Sequence, residues 1–261
     1  MKRMYLIYKT CMKANIASAI TYRVNFILNS LIMLIGNVLF PLVTVFIYNS
    51  NASFEGWTFK EALLIQSVFI LSTACAGIFF NGIMWNTMSH VVEGTLEVVL
   101  IKPTSSLFLL LARSFEFESI GLLGGGIVMF VYALSGIEGM TFSSWLLFLL
   151  LFGAGLLVMF GVSLIVAAIS FKWVANSRLP EMFESVKSFG RYPGTIFPKA
   201  VVAVSSFLFP VSMIAYFPAS TLIGRSEGYF FIAIIPSVLE KERSLAFWDQ
   251  TVRGNLRRLK C

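Results

Sequence analysis

Residues 145–171, WLLFLLLFGAGLLVMFGVSLIVAAISF, decide the fold class of this chain. The segment contains no charged side chain, and two serines are its most polar residues. An α-helix needs about 20 consecutive apolar residues to cross the hydrocarbon core of a bilayer. This segment is longer than that, and we therefore predict a membrane-spanning helix here.

The composition of the whole chain extends this prediction beyond one segment. Of the 261 residues, 57% are hydrophobic and 13% are charged, and the mean hydropathy is +0.83. Soluble domains carry about 25% charged residues, because their surface must be polar. We therefore predict an all-α, polytopic integral membrane protein that forms a single transmembrane domain over residues 1–261.

Five further apolar segments are candidate spans, at approximately residues 24–48, 62–85, 119–134, 200–222 and 229–239. The last of them is weak, since so short a helix does not cross a bilayer. It is followed by a run of charged residues, Glu240, Lys241, Glu242 and Arg243. We predict about six transmembrane helices, with four as the alternative if the last two segments only dip into the membrane.

The first 23 residues contain apolar side chains at approximately helical spacing. These are Tyr5, Ile7, Tyr8, Cys11, Met12, Ile16 and Ile20. Lysines lie between them, which is typical of an amphipathic helix along the membrane interface. We predict such an interfacial helix over residues 1–23, and a frayed leader is the alternative. No cleavable signal peptide is evident, because no small-residue cleavage site closes a short apolar region.

Lysine and arginine predict the orientation. They are abundant in the N-terminal segment, in residues 172–199 and in the tail after Trp248, and sparse in residues 49–61, 135–144 and 223–228. Basic segments remain in the cytosol, where they face anionic lipid. Both termini are therefore predicted to be cytosolic in a bacterial or archaeal inner (cell) membrane. The basic cytosolic segments explain the net charge of +7. No nucleic-acid partner is expected.

No constellation of catalytic residues is recognisable. The chain has no Walker A loop, no G-x-S-x-G and no H-E-x-x-H motif. A single histidine, His90, and three widely separated cysteines predict neither a metal site nor a disulfide framework. The glycine-rich GLLGGG at 121–126 lies in an apolar run and predicts a close helix-packing face. We expect no enzyme activity and no cofactor bound by this chain.

Charged residues approach the membrane most closely in LARSFEFES, residues 111–119. Arg113 and Glu116 are three residues apart, so a helix would place them on one face. We predict an interfacial ion pair at the cytosolic start of the third span. A site in a substrate path and an ion-coupled relay are the alternatives.

Residues 93–103, EGTLEVVLIKP, form a polar interval between two apolar blocks. Residues 88–101 are predicted to form one short helix, with Glu93 and Glu97 on a common face. Lys102-Pro103 ends it, because the residue before proline disfavours the helical region. Thr104 or Ser105 can then cap the next helix. The residues alone leave open whether this segment docks a soluble partner or is a solvated connector.

Four stretches carry a resemblance to a known family: 88–126 (MSHVVEGTLEVVLIKPTSSLFLLLARSFEFESIGLLGGG), 18–31 (SAITYRVNFILNSL), 191–225 (RYPGTIFPKAVVAVSSFLFPVSMIAYFPASTLIGR) and 253–260 (RGNLRRLK). In order and spacing they resemble the ATP-binding-cassette (ABC) type-two exporter permeases, in the branch of uncharacterised or drug and viologen-type exporters. The stretches around Lys102-Pro103 and Tyr216-Phe217-Pro218 are the more specific. The charges at 240–243 depart from the family, whose last helix is continuously apolar.

The resemblance implies a permease that performs no chemistry itself. It implies a second permease subunit, identical or related, and two ATPase subunits that bind ATP and Mg. Residues 88–103 would then be the coupling segment, in which the residues facing the ATPase would be Glu93, Gly94, Leu96, Glu97, Lys102 and Pro103. Residues 200–228 would form a re-entrant, extracellular region, with Tyr216, Phe217 and Pro218 toward the outer mouth.

The function expected from these observations is ATP-driven export of an amphipathic or hydrophobic substrate, of the multidrug type. The absence of recognisable charge inside the spans favours such a substrate over a small ion. The alternative is a non-transport membrane component, such as an immunity or assembly factor.

Overall fold

A computed structural model of the chain describes residues 2–102, 104–170, 178–197, 211–225 and 242–252. Across these ranges the protein is helical and contains no strand, which confirms the all-α prediction. The α-helices are α1 (Lys2–Thr21), α2 (Arg23–Asn49), α3 (Phe59–Ala76), α4 (Gly82–Val92), α5 (Leu96–Leu100), α6 (Ser106–Arg113), α7 (Ser119–Leu134), α8 (Phe142–Ser170), α9 (Arg178–Ser188), α10 (Tyr216–Leu222) and α11 (242–252).

Three helical rods in the described ranges are long and apolar enough to cross a membrane. They are α2, the continuous rod Phe59–Val92 and α8, and the shorter apolar helix α7 accompanies them. The first four predicted spans are therefore present as helices. The second span is longer than predicted, because a π-helical turn at Gly77–Asn81 joins α3 to α4 without a break.

The bundle has two ends. We name them the connector end, where residues 50–58 join α2 to α3, and the coupling end, where α5 lies. α3 and α7 pack antiparallel along their whole length. Gly136, just after α7, lies against Lys60, Gly126 lies against Ile70, and Gly77, just after α3, lies against Ser119.

α3 is the central helix, and Leu64, Ile65 and Phe69 are fully buried along it. α2 contrasts with it, since Ile32, Leu39 and Phe46 are more than half exposed. In a membrane such an apolar face meets lipid or another apolar helix.

α1 is helical throughout, in agreement with a predicted helix rather than a frayed leader. It packs against α6, and the chain turns at Tyr22 before α2 begins. Tyr5 and Ile20 remain exposed, at 67% and 68%, whereas Ile7 packs against buried side chains at the coupling end.

The segment 178–197 is not the simple cytosolic loop that its lysines and arginines predict. After α9 come two 3-10 turns, Phe189–Arg191 and Gly194–Ile196. Arg191 contacts Asn37, halfway along α2. The next residue, Tyr192, packs its ring 6.1 Å from that of Phe54 at the connector end. The prediction for residues 172–199 is therefore wrong over this part, which runs beside the middle of the bundle.

The predicted fifth span, 200–222, is not one continuous helix in its described part. A 3-10 turn, Val211–Met213, precedes the short α10. Ser72 Oγ, well inside α3, donates to Ile214 O at 2.7 Å. Arg225 donates to Gly56 O at the connector end, also at 2.7 Å. Residues 211–225 thus run from the middle of the bundle to the connector end. Pro218 has no N–H to donate to Ile214 O, which a continuous helix would require. Residues 198–210 lie outside the described ranges.

The charged run that interrupts the predicted sixth span leads into α11. Glu242 and Arg243 are exposed in its first turn. Ser244, Trp248 and Val252 are buried along the opposite side, four residues apart. α11 is thus an amphipathic helix. Residues 229–239, Glu240 and Lys241 lie outside the described ranges, so the sixth crossing stays a prediction.

Candidate functional site

The polar interval after α4 begins with a glycine-terminated helix end. α4 ends at Val92, and Gly94 has a φ of 68°. Gly94 N–H donates to Val91 O at 3.3 Å, and Thr95 N–H donates to His90 O at 3.0 Å. These two bonds form a Schellman motif, which stops a helix and requires a left-handed residue for which glycine is suited.

The single helix predicted for residues 88–101 is therefore wrong. The chain turns at Gly94 and begins the separate helix α5 two residues later. Glu93 caps the end of α4, while Glu97 lies in the first turn of α5. The two carboxylates do not share one helical face, because a left-handed residue lies between them.

α5 has a buried side and an exposed side. Val99 is 2% exposed, whereas Val98 and Ile101 are 55% and 75% exposed. Glu93 and Glu97 are exposed as well. We name the exposed residues Val92, Glu93, Glu97, Val98 and Ile101 the coupling surface. It combines three exposed apolar side chains with two carboxylates.

The buried side of α5 belongs to a hydrophobic cluster that joins five helices. We name it the inner cluster, and it comprises Ile83 of α4, Val99 of α5, Leu109 and Leu110 of α6, Leu164, Ala167 and Ala168 of α8, and Trp248 and Val252 of α11. Leu96 packs against it from α5 and is half-buried. Leu96 is therefore an anchoring residue more than a surface residue.

The other residues implied in this segment have distinct positions. Gly94 is exposed and Lys102 is half-buried, while Pro103 lies outside the described ranges. Ser105 Oγ accepts from Phe108 N–H at 3.5 Å, which confirms the predicted N-cap of the helix that follows. α5 is thus held between the glycine-terminated end of α4 and the capped start of α6.

The predicted Arg113–Glu116 ion pair does not occur among the salt bridges of the described residues. α6 ends at Arg113, and Glu116 lies in the connector before α7. The helical spacing on which the pair depended is therefore not present. Arg113 is exposed, and its carbonyl accepts a hydrogen bond from Asn86 at 3.3 Å.

Glu116 lies instead against the start of α7 and the end of α3. Its backbone N–H donates to Gly77 O at 3.3 Å, and its carboxylate accepts from Ser119 Oγ at 3.5 Å. Burial raises the pKa of Glu116 to about 7, and the nearby carboxylates of Glu118 and Glu184 act in the same direction. The side chain therefore changes its charge near neutral pH.

Glu118 connects the same connector to α2. Its Oε1 accepts a hydrogen bond of 2.9 Å from Asn29 Nδ2. The connector also approaches α4 closely, because a Cβ on Gly82 would lie 2.6 Å from Ser114 O. Residues 114–118 are thus fixed against three helices.

Two basic residues that the sequence analysis placed in a loop lie inside the bundle. Lys187 is 2% exposed and pairs with Glu184 at 2.5 Å. The guanidinium of Arg191 lies 3.9 Å from the centre of the Phe40 ring and 4.8 Å from that of Phe69. Both residues lie outside the predicted spans but pack beside them, in a segment that was predicted to be a cytosolic loop. The only signal in the sequence is the i, i+3 spacing of Glu184 and Lys187, which predicts a pair on one helical face.

The residues expected at the outer mouth lie at the connector end but are buried. Tyr216 is 9% exposed and Phe217 is 2% exposed, and Pro218 is buried as well. The Tyr216 ring lies 5.8 Å from that of Trp57 in the α2–α3 connector. At this end α10 is packed against its neighbours, so these side chains do not line an open mouth in this structure.

Comparison with known protein families gives a match to a family of membrane proteins, in agreement with the long apolar helices. The family described as ABC-2 family transporter protein matches residues 31–254, and the chain belongs to this family. It is accordingly a multi-pass membrane protein and a permease-type subunit of an ABC transporter. Searches of curated proteins and of solved structures returned no significant match.

Proposed function

We propose that this chain is the membrane-spanning subunit of an ABC exporter, and that it moves an amphipathic or hydrophobic substrate. The observation that carries the proposal is the two-sided α5: a docking surface on one side and the inner cluster on the other. ATP and Mg bind to separate ATPase subunits, which engage the coupling surface. Catalysis of hydrolysis belongs to those subunits.

The inner cluster supports a mechanical role for α5. Val99 packs in one cluster with Ile83, Leu110 and Leu164, which belong to α4, α6 and α8. Close-packed side chains transmit displacement because the interior has low compressibility. A movement of the ATPase against α5 therefore reaches two of the membrane-length rods directly. Its effect on the bundle is a rigid-body shift of these helices.

Further parts of the proposal concern orientation and assembly. The coupling end lies in the cytosol, both termini are cytosolic, and the membrane is the bacterial or archaeal inner membrane. A second permease subunit, identical or related, packs against the exposed apolar face of α2. That face extends from Ile32 to Phe46. The substrate passes along the interface between the two permeases.

The sequence analysis inferred the substrate class from the absence of charge in the spans, and the structure adds charge close to them. Arg191 and Lys187 place charge beside the middle of the bundle. The apolar face of α2 nevertheless offers a continuous surface for a hydrophobic body, and this supports an amphipathic substrate over a small ion. Membership of a transporter family disfavours the alternative of an immunity or assembly factor.

The proposal is tested by charge reversal on the coupling surface. Glu93→Lys with Glu97→Lys is expected to lower co-purification of the ABC ATPase, and its activity with the chain, at least tenfold, because basic partner residues would be repelled. The matched control reverses two exposed carboxylates at the connector end, Glu55→Lys with Glu138→Lys. Assembly, ATPase activity and export all at the parental level in the Glu93/Glu97 variant would refute the coupling role.

A further inference from the structure

A cavity of about 290 Å³ lies between α1, the start of α2 and the connector from α6 to α7. We name it the interfacial cavity. The lining residues on which its chemistry depends are Tyr22, Phe26, Phe115, Glu116, Phe117 and Glu118. It is at the small end of the range of ligand sites, about 300–1,000 Å³. Its size suits a headgroup whose apolar body extends away from the protein.

Hydrogen bonds between separate elements hold the walls of the interfacial cavity in place. Asn15 Nδ2 of α1 donates to Phe115 O at 3.4 Å. Asn29 Nδ2 of α2 donates to Glu118 Oε1 at 2.9 Å. The backbone of Glu116 is bonded to Gly77 O. The cavity is therefore part of the folded structure, because hydrogen bonds join α1 and α2 to the connector between α6 and α7.

The charge of the cavity is one-sided. Two carboxylates, those of Glu116 and Glu118, line it, and none of the described lining residues is basic. Neither carboxylate forms an ion pair with a described residue. The buried Lys187 nearby is already paired with Glu184. A cationic ligand would supply the missing positive charge.

Aromatic rings line the same cavity as these carboxylates. Phe115 and Phe117 pack edge to face with ring centres 4.6 Å apart. Tyr22 is 67% exposed and lies at the turn between α1 and α2. The faces of aromatic rings attract cations, and rings grouped with carboxylates are how proteins recognise ammonium groups. Phosphate or carboxylate ligands would be repelled by the same lining.

We propose that the interfacial cavity binds the ammonium or other permanently cationic group of an amphipathic ligand, with Glu116 and Glu118 as counter-charges and the aromatic rings as its walls. The cation comes either from the headgroup of an ethanolamine lipid or from a soluble organic cation. The proposal extends the transport role but does not rest on it, since the ATPase takes no part in binding.

The test uses the full chain in dodecylmaltoside micelles, which contain no ammonium group. The probe is an N-methyl styrylpyridinium dye, whose charge is permanent, and the neutral styrylpyridine is its control. At pH 8 we expect the dye to bind and the neutral compound to bind at least tenfold more weakly. Glu116→Gln and Glu118→Gln should each weaken dye binding several-fold to tenfold, whereas Glu55→Gln, exposed at the other end, should not. Equal affinity of all three variants, or of the two probes, would overturn the proposal.

A second measurement needs no variant. Because the pKa of Glu116 is about 7, its carboxyl is mostly protonated at pH 6 and mostly charged at pH 8. The other charged groups near Glu116 are Glu118 on the same connector and Glu184 and Lys187 on α9. Dye affinity of the parental chain should rise by up to about tenfold from pH 6 to pH 8. If Glu116→Gln does not fold, an affinity that does not rise with pH overturns the proposal.

A competition experiment with lipids distinguishes the two sources of the cation. Displacement of the dye by phosphatidylethanolamine but not by phosphatidylglycerol identifies the lipid headgroup. Displacement by neither lipid identifies a soluble cation, and both results agree with an ammonium site. Equal displacement by the two lipids shows that acyl chains fill the cavity, and it overturns the proposal.

Discussion

The guanidinium of Arg191 donates a hydrogen bond of 3.3 Å to Asn37 Oδ1, across 154 residues of sequence. It joins the segment that follows α9 to the middle of α2. The same guanidinium lies over the rings of Phe40 and Phe69. Charge inside the bundle is thus stabilised by one polar acceptor and two aromatic faces.

This contact predicts the effect of removing its acceptor. Asn37→Ala should destabilise the protein by about 1–3 kcal/mol, because Arg191 then retains its half-buried charge without that partner. Arg191→Leu in the same chain should recover part of the loss, since no charge remains to be satisfied. Thermal unfolding in one detergent measures both. Asn49→Ala, at the exposed last residue of α2, is the control. Equal losses at Asn37 and Asn49 would contradict the prediction.

The packing of α8 against the turn before α10 leads to a second prediction. A Cβ on Gly155 would collide with Met213 O, whereas one on Gly153 would meet nothing within 4 Å. Gly155→Ala should cost about 1–3 kcal/mol, because backbone must move to accept it. Gly153→Ala should leave the unfolding temperature unchanged or raise it. The idea fails if the two alanines have the same effect.

A third prediction concerns α11 and the inner cluster. Trp248 is 3% exposed, whereas its neighbour Phe247 is 42% exposed. Trp248→Ala should weaken the docking of α11 by about 3–5 kcal/mol, as expected for a large buried aromatic side chain. Amide hydrogen exchange over residues 242–252 should therefore become faster in this variant. Phe247→Ala should leave exchange close to the parental rate, and similar acceleration in both variants would count against the inner cluster.

The orientation of the chain in the membrane is tested by cysteine labelling in intact cells. Ser53 and Ser105 are exposed at the connector end and the coupling end, respectively. In a chain without its native cysteines, an impermeant maleimide should label Ser53→Cys directly and Ser105→Cys only after permeabilisation. Ser188 is a poor reporter, because it is half-buried at the end of α9 and its hydroxyl donates to Ser185 O. Labelling of Ser105→Cys alone in intact cells would show the opposite orientation.

The sequence predicted the membrane-length helices well because their signal is local. α2 and α8 are long apolar runs, and length with absence of charge is sufficient to recognise them. The helix of residues 2–21 was predictable for the same kind of reason, from the spacing of its apolar side chains.

The segment 178–197 could not be predicted in this way, because the partner of its Arg191 is supplied by a distant part of the chain. Counting charges assigned Lys187 and Arg191 to a loop, while Asn37 and Phe69 provide the partners that hold Arg191 in the bundle. A hydropathy argument treats each charge as unpaired. It therefore fails wherever tertiary contacts supply the pairing.

The coupling segment shows a different limit. Val91, Leu96 and Val99 fit the spacing of one helix, and the sequence alone does not distinguish a glycine within a helix from one that ends it. The structure places Gly94 at a φ of 68°, where alanine would be strained by about 1–2 kcal/mol. Exposed carboxylates at Glu93 and Glu97 could be predicted from the sequence, but their arrangement on two separate helices could not.

The π-helical turn at Gly77–Asn81 gives the rod Phe59–Val92 a rotational offset between its two halves. One extra residue in a helical turn rotates everything beyond it by about 100°. Gly77, the first residue of the turn, faces Ser119, whereas Gly82, the residue after the turn, faces Ser114. Removing one residue from the turn would make the rod a regular α-helix throughout. The side chains of α4 that contact α6 and α8 would then point in another direction. The length of this single turn therefore determines the direction of α4 and the position of the segment Glu93–Glu97 that follows it.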